Sequence, residues 1–95
     1  MSKFSTEKLE ELKGYPLSYR LQKLRWWSGF TQEDVANHLH CGQGSVSSWE
    51  QGKRYPNGRT LEKIIDLYDL PGDFFLDLDI KRLKLMRKKR EELDD

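Results

Sequence analysis

Seven glycines and three prolines cut this chain into short segments. Gly14, Gly29, the pair Gly42 and Gly44, Gly52, Gly58 and Gly72 stand between the apolar runs, with Pro16, Pro56 and Pro71 in the same gaps. Each is a place where a helix stops or starts. Between them the β-branched residues are few and recur at helical spacing instead of alternating, so no strand is expected. The punctuation therefore predicts an all-α fold of short helices. At 95 residues there is room for one small core with extensions, and little for a large-pocket enzyme.

The helices can be placed from caps and stripes. Ser5 or Thr6 is a candidate cap for a helix reaching Leu12, with acids in its first turn and Gly14 after its end. After Pro16, the residues Leu17, Leu21 and Leu24 repeat at i, i+4, i+7 as a core-facing stripe until Gly29. Thr31 caps a second segment, with Asp34 three residues on and Val35, Ala36 and Leu39 facing inward. A third runs from Gln43 to Glu50 on two large anchors, Val46 and Trp49, and its outer side is small and polar. Asn57 caps a fourth, with Leu61, Ile64, Ile65 and Tyr68 on one face, which must end before Pro71. Residues 73–76, Asp-Phe-Phe-Leu, read as a last turn that closes the core. The divisions expected are an N-terminal extension (1–14), one domain (15–77) and a charged tail (78–95).

Two short helices joined by three or four residues, the second polar on its outer edge, are the pattern of a DNA-reading helix-turn-helix. Here the pattern sits inside a longer string: Leu21-x-x-Leu24-Arg25-x-x-x-Gly29-Phe30-Thr31-Gln32-Glu33-x-x-Ala36-x-x-Leu39-x6-Val46-x-x-Trp49-Glu50-x-Gly52-Lys53-Arg54-x-Pro56. Over about residues 17–76 it resembles the Xre-type helix-turn-helix family of phage Cro and CI repressors and of plasmid and bacterial regulators. The resemblance implies a five-helix, lambda-repressor-like domain that binds double-stranded DNA in the major groove as a homodimer. By position it assigns Gln43, Gly44, Ser45 and Ser48 to base contacts, and Gln32, Lys53, Arg54 and Asn57 to phosphates. It makes Arg25 and Glu50 a structural ion pair, and it places the dimer contact near Leu70, Phe74, Phe75 and Leu76. Two adjacent phenylalanines at the end of a small domain are expected not to turn inward together, which leaves one for a partner.

Side-chain chemistry supports these assignments independently. A glutamine presents donor and acceptor together to the N6/N7 edge of adenine, and serine is shorter and less selective. Three departures from the family pattern stand out. Gly44 occupies a place where a base-reading side chain is usual, at a helix-propensity cost of about 1 kcal/mol relative to Ala. Gly42 fills the usual polar N-cap place. His40 stands where a turn glycine is usual, and His is among the residues that tolerate positive φ.

The net charge of +1 hides blocks of opposite sign: +3 over 20–59, −5 over 60–79, +7 over 80–90 and −4 over 91–95. The modest +3 points to moderate affinity per monomer, hence to a dimer. The 81–90 run reads as a solvated helix, a second phosphate contact or a dimerisation helix. His38-x-His40-Cys41 lacks a fourth ligand at metal spacing, so no metal and no cofactor are expected, and Cys41 reads as a packed turn residue. The serines at 45–48 have no His placed to activate them, so no enzyme is expected.

Trp26 lies about 140° round its helix from Leu21, off the buried stripe. Either the N-terminal extension, with Phe4, Leu9 and Leu12, covers it, or a partner does. A rival reading follows, in which the fold serves as a protein-interaction module of antitoxin or antirepressor type through Trp26, the acidic 66–79 surface and the tail. One cysteine, no signal-like N-terminal stretch and no run of roughly 20 apolar residues point to a cytoplasmic protein without a membrane segment.

Overall fold

The computed structural model describes residues 4–78, which form five helices: α1 (Thr6–Glu10), α2 (Leu17–Ser28), α3 (Gln32–Leu39), α4 (Gln43–Glu50) and α5 (Gly58–Tyr68). Among the described residues there is no strand, and no helix is long and apolar enough to cross a membrane. The fold is all-α and lambda-repressor-like. The 80–90 basic run and the acidic 91–95 segment lie outside the described residues.

Local chemistry sets most boundaries. Thr31 and Asp34 close a reciprocal capping box at the start of α3, with the Asp34 amide donating to the Thr31 hydroxyl at 3.0 Å and the Thr31 amide to the Asp34 carboxylate at 2.9 Å. Asn57 Oδ1 accepts from the Thr60 amide at 2.8 Å and starts α5. Gly29 ends α2 at φ 73°, and His40 ends α3 in the same left-handed region at φ 55°. Leu21, Leu24, Val35, Leu39, Val46, Trp49, Leu61, Ile64 and Tyr68 form the centre of the core.

The first segment is more than an extension. α1 stops at Glu10, short of the expected end at Leu12, because Leu12 and Lys13 donate to carbonyls three residues back and Gly14 takes φ 90°. This tighter turning brings Leu9 and Leu12 into the same core as the remaining helices, at 4% and 1% exposure. The extension thus shares the domain's core.

Arg20 explains how that segment is held. It lies on the apolar stripe of α2 and is fully buried. Its Nε donates to the Tyr15 carbonyl at 2.9 Å and Nη1 to the Phe74 carbonyl at 3.0 Å. Nη1 and Nη2 also reach the two oxygens of Asp77, at 3.0 and 2.6 Å. One guanidinium ties the entry of α2 to the end of the domain.

Two expectations about aromatic residues are corrected. Phe74 and Phe75 both turn inward, at 4% and 3% exposure, with their rings edge to face at 4.9 Å. This is possible because the turn is walled on both sides: Phe74 lines a groove with Leu9 of α1, and Phe75 lines one with Leu61 and Ile65 of α5. The exposed apolar residue of the turn is Leu76. Trp26, in turn, is not covered by the extension. Phe4 and Lys8 lie against Trp27 instead, at 6.0 and 4.9 Å, and Trp26 remains 54% exposed.

Candidate nucleic-acid interface

The short α4 helix is fixed from behind by Glu50. Arg25 of α2 donates to it twice, from Nε at 2.8 Å and from Nη2 at 2.9 Å, and spends Nη1 on the Phe30 carbonyl at 3.1 Å. Gln22 of α2 donates to the Glu50 backbone carbonyl at 2.8 Å, and Gln32, first residue of α3, reaches Oε1 at 3.4 Å. The Glu50 side chain is 4% exposed and that of Arg25 14%. A bidentate pair this sheltered fixes orientation as well as energy. Three helices therefore meet on one carboxylate at the end of α4, and the helix cannot roll without breaking them.

At about 100° per residue, Val46, Trp49 and Glu50 occupy the inner side of α4 and Gly44, Ser47 and Ser48 the outer side, with Gln43 at the border beside Glu50 in the first turn. Gln43 and Gly44 are exposed, and Ser47 and Ser48 are half-buried. Ser45 falls on the flank between Ser48 and Trp49. A Cβ built on Gly44 would meet nothing within 4 Å, so no packing requirement of the domain explains the glycine. Its effect is to leave the backbone bare in the middle of the outer face. Ser47 was not among the candidates named from the sequence, although its spacing puts it there. Its Oγ accepts from Gln51 Nε2 at 2.7 Å, so the two form a fixed polar pair at one end of the face.

The loop after α4 is held by the helix it follows. The amides of Lys53 and Arg54 both donate to the Ser48 carbonyl, at 2.9 and 3.3 Å, and both side chains are exposed. Asn57 is also exposed, with its Oδ1 committed to the cap of α5. Gln32 is half-buried and turned toward Glu50. The site is thus an uncharged, shallow helix face flanked on one side by two cations.

His38 stands in the last turn of α3, and His40 and Cys41 lie in the turn into α4. His38 lies 5.3 Å from the Phe30 ring, and His40 supplies the left-handed cap. Burial pushes the Cys41 thiol above its ordinary value, which weakens it as a nucleophile or ligand. Among the described residues, no group of three His, Cys, Asp or Glu side chains converges on a metal position.

The sequence matches the family model of the helix-turn-helix domain over residues 16–74. The chain belongs to the helix-turn-helix family of Xre-type regulators. Among its relatives within that family is the HTH-type transcriptional regulator ImmR of Bacillus subtilis (strain 168), 35% identical over 63 residues, a stretch covering 66% of this chain and 50% of that protein. Another is the HTH-type transcriptional activator BcrR of Enterococcus faecalis, 37% identical over 57 residues, covering 60% of this chain and 28% of that one. The chain thus spans half or less of the length of these relatives. Among solved structures, the wild-type restriction-modification controller protein C.Esp1396I is similar at a TM-score of 0.56 and 27% identity, covering 70% of this chain and 88% of its own. In this helix-turn-helix protein the matched segment includes α2 to α5 and the turn that carries Phe74, and leaves α1 outside.

Proposed function

We propose that this chain is a sequence-specific DNA-binding transcription regulator that works in the cytoplasm and lays α4 in the major groove. The carrying observation is the asymmetry of α4: its inner side is fixed through Glu50 to two other helices, and its outer side presents short polar groups with the backbone bare at Gly44. Such a face approaches base edges closely and meets no charge penalty in doing so. In this reading Gln43, Gly44, Ser45 and Ser48 contact bases, and Lys53, Arg54, Asn57 and Gln32 contact phosphates. The amide of Asn57 and the exposed cations of the loop serve position rather than sequence. Repression is the direction that requires nothing beyond occupancy, since a bound domain obstructs a promoter by its bulk.

One short helix reads few base pairs, so the reading includes a homodimer on a palindromic operator, with two α4 helices about 34 Å apart. Phe74 and Phe75 are committed to the core, so the dimer surface near the end of the domain rests on exposed Leu76 and its surroundings. Selection from a random duplex library with the full chain, followed by gel shift, tests this. Enrichment of an inverted repeat with half-sites one helical turn apart is expected. Binding that shows no sequence preference would overturn the reading. The exposure of Trp26 favours a second reading, a protein-interaction module of antitoxin or antirepressor type on the same fold, and that reading would survive such a result.

A further inference from the structure

The side of α2 opposite its core stripe carries Tyr19, Lys23 and Trp26, with Tyr15 just before the helix. Tyr15 and Tyr19 stack at 4.3 Å. The Lys23 ammonium sits 5.4 Å from the Tyr19 ring and 5.2 Å from the Trp26 ring. No acidic residue occurs between Glu11 and Glu33. Trp26 is therefore an exposed aromatic knob with Lys23 over its ring, Arg25 at 6.0 Å from it, and no carboxylate along its helix. Tyr15 and Trp26, both about half exposed, are joined through half-buried Tyr19 and the Lys23 ammonium into one patch, and it is such a patch, not a single exposed residue, that marks an interaction site.

On a different part of the same chain lies a hole of complementary character. A groove of about 250 Å³ runs between α5 and the 72–76 turn, lined by Leu61, Ile65, Phe75 and Leu76 with Glu62 on its wall. Asp66 and Asp69 continue the Glu62 edge at i+4 and i+7 and are exposed, with Arg59 at i−3 as the one cation on that side among the described residues and Lys63 about a quarter-turn away. Glu62 makes no ion pair among the described residues. A larger groove of about 420 Å³, between α1 and the turn, suits the knob less well. Lys13 lines it beside Glu10 and Asp73, and the carboxylate of Asp77 there is already taken by Arg20, so a cation of the groove itself competes with Lys23 for its acids.

We infer that Trp26 of one copy seats in the α5 groove of a second copy, with Lys23 beside Glu62, and that the same contact repeats in the opposite sense. The inference rests on the dimer reading above and names what the Leu76 surface receives. A two-fold dimer requires that if residue i meets j, then j meets i, so the contact closes only with knob and hole on one face of the dimer; knob into hole in one sense alone would build an open head-to-tail chain, and sedimentation that keeps rising past two copies would overturn the reciprocal contact. Charge and shape agree: a cation-flanked indole meets an apolar groove edged by carboxylates, which favours pairing of unlike surfaces over like ones.

Sedimentation of the full chain across a concentration series tests it, comparing wild type with Trp26→Ala, Lys23→Glu, Glu62→Lys and the Lys23→Glu/Glu62→Lys double variant. Trp26 and both charged residues are outside the core, so melting temperatures taken at concentrations where every chain is monomeric should match wild type. Trp26→Ala is expected to raise the dimer dissociation constant on the order of tenfold or more, the scale of a central aromatic anchor. Each charge reversal should weaken the dimer, and the double variant should recover it to within about threefold of wild type. A wild-type chain that sediments as a monomer at every concentration would sink the dimer reading and this contact together. Wild type and Trp26→Ala dimerising equally, or no recovery in the double variant, would overturn this contact alone and leave the dimer resting on Leu76.

Discussion

Arg20 and Arg25 stand five residues apart on α2, and each closes a two-pronged pair with a carboxylate from a distant part of the chain. They hold different halves of the molecule. Arg25 fixes α4, the helix that carries the candidate DNA face, and its partner Glu50 is the more deeply buried member of the pair. Arg20 fixes the end of the domain, and there the arginine is the buried member, with its Asp77 partner 43% exposed. The polarity of burial is reversed. That reversal decides which substitution harms each half, because the cost of breaking such a pair lies mainly in the charge left stranded.

The largest effects should follow that rule. Arg25→Ala strands Glu50 with the 3.4 Å contact to Gln32 as its remaining side-chain partner, and a loss of about 3–5 kcal/mol in urea unfolding is expected. In the other half the damaging change is on the exposed side. Asp77→Ala strands Arg20, which keeps the Tyr15 and Phe74 carbonyls, so the loss should fall toward the lower end of that range, about 3 kcal/mol. Equal tolerance of both substitutions would show that neither pair is energetically engaged, and the contrast between the halves would disappear.

A second pair of changes sharpens the same contrast. Leu12→Ala should cost about 2–5 kcal/mol in urea unfolding if α1 belongs to the core that Arg20 closes, and near nothing if α1 is an appendage. Phe74→Ala and Phe75→Ala should unfold the chain more easily, by about 3–5 kcal/mol, instead of loosening an association between folded monomers.

The smallest expected effect belongs to the α3 end of the half that carries the candidate DNA face. The Thr31 backbone amide, with help from its side chain, holds the Asp34 carboxyl below its ordinary value of 3.8. A carboxyl depressed in the folded state contributes stability that is complete above the unfolded value and lost as pH falls through the folded one. The difference in melting temperature between wild type and Asp34→Asn should therefore be constant above about pH 5 and shrink toward zero in stronger acid. A difference that does not change with pH would mean that the charge of Asp34 plays no part in the cap.

The half that carries α4 and the candidate DNA face was the more legible in the sequence. The spacing of Arg25, Gln32, Val46, Trp49, Glu50 and Gly52 is itself the pattern of that half, and Thr31 with Asp34 is a capping signal three residues long. Even His40 in the left-handed region could be read, because its place in the turn demanded positive φ. The other half depends on pairings across long sequence separations. Arg20 falls at Leu17+3 and Leu21−1, on the buried stripe, and that placement was the available signal. Nothing local says that a residue 57 positions later will meet it. For the same reason the inward turn of both Phe74 and Phe75 was missed, since it depends on α1 covering a side of the turn that looks bare when the segments are read separately. Trp26 was read correctly as off the stripe, but the ring that the extension covers is its neighbour Trp27.

The central claim is that α4 reads sequence while the loop behind it supplies position. Titration of the selected operator, its single-position variants and random DNA by gel shift, at several salt concentrations, tests it most directly with Gln43→Ala and Lys53→Ala. For Gln43→Ala, preference at one operator position should relax by about 1–3 kcal/mol. For Lys53→Ala, all sequences should weaken alike and the salt slope should fall by about one. Equal losses on operator and random DNA for Gln43→Ala would contradict it.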